Sequence, residues 1–387
     1  MKVVCFCWTY CAMMFLCLLM ATLPGNADPQ QAVSAPEWDA FFANQNGWLG
    51  ADCDASLPLP QTGKITDDNR KTLWLFDDTV IGKIQDGKRV DSRMTHSSIA
   101  IQSGVNPASA SKEFFLGKEN GNLQCGFIGP PDHKGWFWFG GSFTAGKSIY
   151  FFLDQTAPNG EGGAFGFQMT ALWVARVTNP MDTPDNWQIQ YTQLPFFTTG
   201  KTGSTFLGHA AFCQGNQVYI YGTKEQRAPF SVKRSLVLAR VPLSKISDST
   251  QWRFYSDGKW QKDWQSASGL CGDDIGAEFS VNKIAGIDKY LMVYSPSDLT
   301  PEIRVRTSPS PAGPWSAAAA VYTCPEGKEK NVFCYAARAH HELSSKDNLL
   351  ISYATNSADF SQLFSNPSLY FPRFVWLKLS GFHPTLP

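Results

Sequence analysis

The stretch His209-Ala-Ala-Phe-Cys-Gln-Gly-Asn-Gln-Val-Tyr-Ile-Tyr221 opens one strand on a polar residue, turns at Gly215-Asn216 and returns as an aromatic-aliphatic strand. β-Branched and aromatic residues on either side of a Gly-Asn turn mark a hairpin. The same grammar recurs four more times along the chain. Asp52 leads by a long loop to Leu73-Trp-Leu-Phe76, and Gly141 leads through Ala145-Gly146 to Ile149-Tyr-Phe-Phe-Leu153. Glu278 leads through Gly286 to Tyr290-Leu-Met-Val-Tyr294, and His340 leads through Lys346-Asp347-Asn348 to Leu349-Leu-Ile-Ser-Tyr353. A third strand signal follows each hairpin, at Ser98 to Gln102, Ala171 to Val177, Leu236 to Val241, Ile303 to Thr307 and Phe374 to Leu379. Three units continue into a Trp-led strand, at Trp187, Trp252 and Trp315.

Four antiparallel strands per unit, in five units, predict an all-β chain folded as a five-bladed β-propeller, each unit burying one face against the next. A β-sandwich of this length would show strand signals but no matching register between units. The fifth unit ends at its third strand, so an N-terminal segment such as Trp38 to Phe42 is expected to close the last blade. This divides the chain into a leader at 1–27, an N-terminal segment at 28–46 and the propeller at 47–387.

The leader has three parts: Lys2, an apolar run from Val3 to Leu23, and a Pro24-Gly25 break followed by small residues to Ala27. That is the grammar of a cleavable secretory signal. The rival is a membrane anchor, because the run approaches the ~20 residues of a spanning helix, but Thr9, Tyr10 and Thr22 interrupt it. A secreted protein, extracellular or periplasmic, is expected. Of the 10 cysteines, Cys5, Cys7, Cys11 and Cys17 lie in the leader, leaving Cys53, Cys125, Cys213, Cys271, Cys324 and Cys334. An even number in an oxidising compartment suggests disulfides whose pairing stays open. One pair is expected on loop size, Cys324 with Cys334 around Pro325-Glu-Gly-Lys328. No CxxC pair occurs, so no structural zinc is expected. Lys+Arg and Asp+Glu are both 33, which gives no basic surface for nucleic acid or anionic lipid. The mature protein is expected to be a monomer that does not engage membranes.

In a propeller the innermost strands converge on a central channel, so residues far apart in sequence become neighbours. Register places Asp52, His209, Glu278 and His340 at comparable innermost positions, two carboxylates and two histidines. Two opposed carboxylates are the minimum equipment for glycoside hydrolysis: one protonates the leaving oxygen, the other activates water or attacks carbon. Glu278 stands between apolar neighbours in Gly276-Ala-Glu-Phe-Ser280, which favours a neutral proton donor, and Asp52 stands in a small, polar setting suited to an ionised base. Asp54, two residues on, is an alternative to Asp52. Asp78 is a candidate to orient the base, and His96 and Arg338 are candidate sugar contacts. Each has a bland reading as an ordinary turn or channel residue hydrogen-bonded to backbone. No GxSxG elbow, HExxH, Walker loop or dinucleotide fingerprint is present.

At these residues the sequence resembles the five-bladed propeller proteins related to furanoside-acting glycosidases: arabinanases, xylosidases, fructosidases and an uncharacterised propeller family whose known active members are microbial endo-D-arabinanases. The motifs are Gly50-Ala-Asp-Cys-Asp-Ala-Ser-Leu-Pro-Leu-Pro60, Leu73-Trp-Leu-Phe-Asp-Asp-Thr79, His96-Ser-Ser-Ile-Ala-Ile-Gln102, Gly276-Ala-Glu-Phe-Ser-Val281, Arg306-Thr-Ser-Pro-Ser-Pro-Ala-Gly-Pro-Trp315 and Ala337-Arg-Ala-His-His-Glu-Leu-Ser344. The resemblance implies that Asp52 is the first-blade aspartate on the cleft floor, Asp78 the aspartate of an Asp-Thr pair, and Glu278 the fourth-blade acid. It also implies a carbohydrate ligand and a reaction that needs no metal or organic cofactor. One departure stands out. In Trp138-Phe-Gly-Gly-Ser142, Gly141 occupies a position where relatives often carry an aspartate, so a carbohydrate-binding or scaffold propeller without catalysis is the alternative reading.

Overall fold

The computed structural model describes residues 31–117, 126–160, 166–200, 202–228 and 231–382. The expected leader, its four cysteines and Cys125 lie outside the described residues. Among those described, the chain is all-β, with two short α-helices, Pro36–Phe42 and Gln362–Ser365, and a few 3-10 turns. No helix among them is long and apolar enough to cross a membrane.

Five sheets follow one another along the chain, and every pairing between neighbouring strands is antiparallel. Their innermost strands are, in order, Ala55–Pro58, Trp136–Ala145, Gly203–Gln214, Ile275–Ile284 and Val332–Ala339. The five aromatic-aliphatic runs form the next strand in each sheet: Lys71–Phe76, Ser148–Pro158, Gln217–Ala228, Lys289–Pro296 and Asn348–Ser357. These runs are apolar on both faces because each strand is packed between two neighbouring sheets.

Apolar clusters join consecutive sheets. Leu73, Leu75 and Ile99 pack on Phe137, Phe139 and Phe151; Phe152 and Leu172 on Ile220 and Val237; Tyr221 and Leu236 on Phe279 and Met292. Leu291 and Val293 pack on Leu349, Ile351 and Val375. Trp74 and Phe76 of the first sheet meet Leu350 and Phe374 of the fifth, with Trp38 and Phe42 between them.

The N-terminal segment reaches the fifth sheet by a different route from the one expected. Ala32–Ser34 supplies its outer strand, pairing Val33 with Trp376, whereas Trp38 to Phe42 belongs to the helix Pro36–Phe42. Pro36 sets the first helical turn, and Trp38, Phe41 and Phe42 then share one buried helical face. A sixth, three-stranded sheet, Asn46–Ala51 with Thr79–Gln85 and Lys88–Thr95, is inserted within the first unit. It is fixed by Arg89, a buried guanidinium that donates to the carbonyls of Leu363 (2.6 Å), Leu369 (2.8 Å) and Leu49 (3.1 Å). Trp187 precedes its strand, capping a 3-10 turn ahead of Ile189–Leu194.

Candidate functional site

Four innermost strands break register at comparable points. Pairing skips across Gly140-Gly141 in the second sheet, Gly208-His209 in the third, Gly276 to Glu278 in the fourth and Ala336-Ala337 in the fifth. A bulge adds a residue, kinks the strand and re-aims the side chains beside it. In the first sheet the chain turns instead at Cys53 and Asp54, both at positive φ (69° and 49°). Asp54 is therefore not on a strand face shared with Asp52, as its spacing suggested. It is fully buried, and neither of its carboxylate oxygens has a protein hydrogen-bond partner.

These distortions gather one group of carboxylates. Asp52 Oδ2 accepts a 2.5 Å hydrogen bond from the Tyr335 hydroxyl, and Asp52 Oδ1 is buried without a partner. Burial, then the nearby charges of Glu278 and Asp78, push the Asp52 carboxyl well above the usual range, against the opposing effect of the Tyr335 and Tyr370 hydroxyls. Glu278, about a quarter exposed, lies 3.7 Å from the Arg338 guanidinium. Burial raises its pKa as well, and Arg338 acts to lower it. Both carboxyls are thus held above their ordinary range by burial, with a tyrosine hydroxyl on Asp52 and a guanidinium beside Glu278 acting the other way.

Arg338 lies inside the protein, donating to Phe279 O at 3.2 Å, and does not extend into an open cleft. Asp78 and His96 sit nearer solvent. His96 Nδ1 is 2.9 Å from Asp78 Oδ1, which also accepts from Trp138 Nε1 at 3.0 Å, and the His96 ring stacks on Trp136 with centroids 4.0 Å apart. Half-exposed aromatic faces beside polar atoms suit a sugar ring and its hydroxyls. His209 is buried with Nδ1 unpartnered, and burial with the nearby Arg234 and Arg338 charges holds its pKa down to about 3, so it is neutral. His340 is placed elsewhere. It is 2.6 Å from the Ser56 hydroxyl, and it packs on Trp74 and Phe374 between the first and fifth sheets.

Four members of the site escaped the sequence reading: Asp77, Asp154, Tyr335 and Tyr370. Asp77 accepts from Phe139 N at 2.6 Å. Asp154 stands on the second strand of the second sheet, opposite Trp138, with Oδ1 buried and unpartnered. Burial and then the Glu278 charge raise it to about 7. The signal for it was a carboxylate ending the apolar run Ile149 to Leu153. Gly141 leaves no room for a side chain: a Cβ there would lie 2.5 Å from the Ala210 carbonyl carbon and the Ala211 nitrogen. Cys324 and Cys334 are buried neighbours, but both are free thiols, and the hydrogen bond that the Cys324 thiol donates to Cys334 is the largest influence raising the Cys324 pKa. The expected disulfide is not formed in this structure.

Residues 36–379 match the family described as "Domain of unknown function (DUF5005)". The chain belongs to this DUF5005 family. A DUF5005 chain thus carries the buried carboxylate group at the ends of its innermost strands. Notoamide biosynthesis cluster protein J' of Aspergillus versicolor is 23% identical over 325 residues, 78% of this chain and 80% of that protein. A crystal structure of a Bacteroides ovatus ATCC 8483 protein, provisionally described as a hydrolase, has the same fold: TM-score 0.68, 17% identity, covering 89% of each chain. The GH43_1 enzyme of Xanthomonas citri complexed with xylotriose is a weaker likeness, with a TM-score of 0.44 and 14% identity over 92% of this chain and 93% of that one.

Proposed function

We propose that this DUF5005 protein is a secreted glycoside hydrolase acting on a furanose-containing, arabinan-like polysaccharide, with Asp52 and Glu278 as its acid–base pair on a five-bladed β-propeller. The propeller reading draws on the apolar clusters that link consecutive sheets and link the fifth to the first. Export rests on the leader sequence. The observation that carries the reading is that the Glu278 charge acts on the Asp52 carboxyl, whose Oδ2 is held by Tyr335 inside a mostly buried site. Carboxylates so placed do not both ionise readily, so one keeps a proton at neutral pH while the other is charged.

Asp52, held by Tyr335 and facing like charges, is the proton donor to the leaving oxygen. Glu278, beside Arg338, is the ionised partner that activates water or attacks the anomeric carbon. This exchanges the roles that local sequence suggested. The Asp78, His96, Trp136 and Trp138 group flanks the pair and supplies the sugar contacts.

The test is sugar release from arabinans, fructans, xylans and arabinogalactan by purified wild-type, Asp52→Asn and Glu278→Gln protein. Each substitution is expected to lower the rate by ~10² to 10⁴. On an aryl furanoside, whose leaving group needs no protonation, Asp52→Asn keeps most of its activity and Glu278→Gln does not. If wild-type protein binds one polymer, cleaves none, and keeps that binding in both variants, the protein is a carbohydrate-binding module.

A further inference from the structure

We propose that Cys53, Asp77 and Glu278 form a binding site for one thiophilic divalent cation, with Zn²⁺ the best fit. The Cys53 Sγ, an Asp77 carboxylate oxygen and a Glu278 carboxylate oxygen all lie within 4.8 Å of one another. A tetrahedral zinc with a thiolate at ~2.3 Å and carboxylates at ~2.1 Å holds its donors roughly 3.5 Å apart. The three side chains therefore need to close by little more than about an ångström.

The first two ligands are already held by the backbone of one residue. Phe139 N donates to Asp77 Oδ1 at 2.6 Å, and Phe139 O accepts from the Cys53 thiol at 3.6 Å. Outer contacts of this kind fix ligand direction in metal sites.

Asp54 supplies the independent observation. It follows Cys53 in the same positive-φ turn, its side chain is fully buried, and both of its oxygens lack any protein partner. A buried carboxylate with no hydrogen bond is costly unless a proton or a cation neutralises it. Among the described residues, Arg338 is the one cation acting on Asp54, Asp77, Asp154 and Glu278 alike. A divalent ion would balance this excess. One thiolate with carboxylates selects zinc or a similar borderline metal over Ca²⁺ and Mg²⁺, which take all-oxygen shells. Binding displaces the Cys53 proton to the buffer and leaves the fourth position to water or Asp54.

The inference does not need the site to hydrolyse anything. If it does, the ion occupies the Glu278 carboxylate, and the metal-free protein is the active form.

Chelator-treated full-length protein is titrated with Zn²⁺ by calorimetry and with Co²⁺ by absorption. One equivalent should bind, with a thiolate-to-cobalt charge-transfer band, proton release to buffer, and no displacement by Ca²⁺. Cys53→Ser should remove the band, and Glu278→Gln, checked for folding by circular dichroism, should weaken Zn²⁺ by about tenfold or more. Cys324→Ser should change neither. The proposal is overturned if the folded wild type binds no stoichiometric metal, if the band survives Cys53→Ser, or if it is lost in Cys324→Ser, which would put the ion at the other thiol pair. Sugar release by the chelated protein is a separate readout, so failure of the glycosidase reading leaves this result unaffected.

Discussion

The Tyr335 hydroxyl of the fifth sheet lies 2.5 Å from Asp52 Oδ2, at the entrance to the first sheet. A neutral donor aimed at a buried carboxyl favours its ionised form and so acts against burial and against the Glu278 and Asp78 charges. Tyr335→Phe should therefore raise the Asp52 pKa further. With Asp52 as proton donor, the alkaline limb of the kcat/KM profile moves to higher pH in the variant; with Asp52 as base, the acidic limb moves up instead. A pH profile of the two proteins decides which, and an unmoved profile would remove Asp52 from the chemistry.

Gly141 should not tolerate any side chain. The nearest obstacle to its Cβ is the backbone at Ala210 and Ala211, not the end of a flexible side chain, so relief requires the second and third sheets to part. Gly141→Ala is expected to cost about 1–3 kcal/mol or more, and Gly141→Asp at least as much, with no gain in activity. Urea midpoints measure both.

Asp154 makes stability depend on pH in a defined direction. Its folded pKa of about 7 lies above the unfolded value of 3.8, so the unfolded chain gives up this proton first as pH rises. Stability is therefore lost between about pH 4 and pH 7, by up to a few kcal/mol. His209 and His340, both held down to about 3, work the other way: the unfolded chain takes up their protons as pH falls below about 6.5. Comparing urea midpoints of wild type and Asp154→Asn at pH 4.5 and 7.5 isolates the carboxyl. The variant should lose less stability on going to the higher pH, and equal losses would contradict the assignment.

Cys324 and Cys334 are buried side by side with nine residues between them. Both are free thiols in this structure; under the proposed export through an oxidising compartment they are expected to bond, adding about 2–3 kcal/mol in the chain-entropy model. Mass mapping of unreduced peptides checks this; a free thiol at either position in exported protein would exclude it.

The sequence by itself determined the repeating strands of the five main sheets, though not the inserted sheet of Asn46–Ala51, Thr79–Gln85 and Lys88–Thr95. Continuous aromatic-aliphatic runs, Gly-Asn and Lys-Asp-Asn turns and five matching hairpins located the second strand of each of the five main sheets, because strand propensity and turn chemistry act over a few residues. It also nominated Asp52 and Glu278, which register brings to equivalent places. Only the tertiary structure decided what surrounds them. A bulge shifts facing by one residue, so Arg338 turns toward Glu278 while His340, two residues later, packs on Trp74. Asp77, Asp154 and Tyr370 reach the site from other strands and loops, and Tyr335 from ahead of the bulge in the fifth innermost strand, so the repeat alignment did not put them in line with Asp52. The protonation of Asp52 and Glu278 is likewise a property of the assembled site: burial and the charges of distant residues set it, and neither is written in the neighbouring sequence.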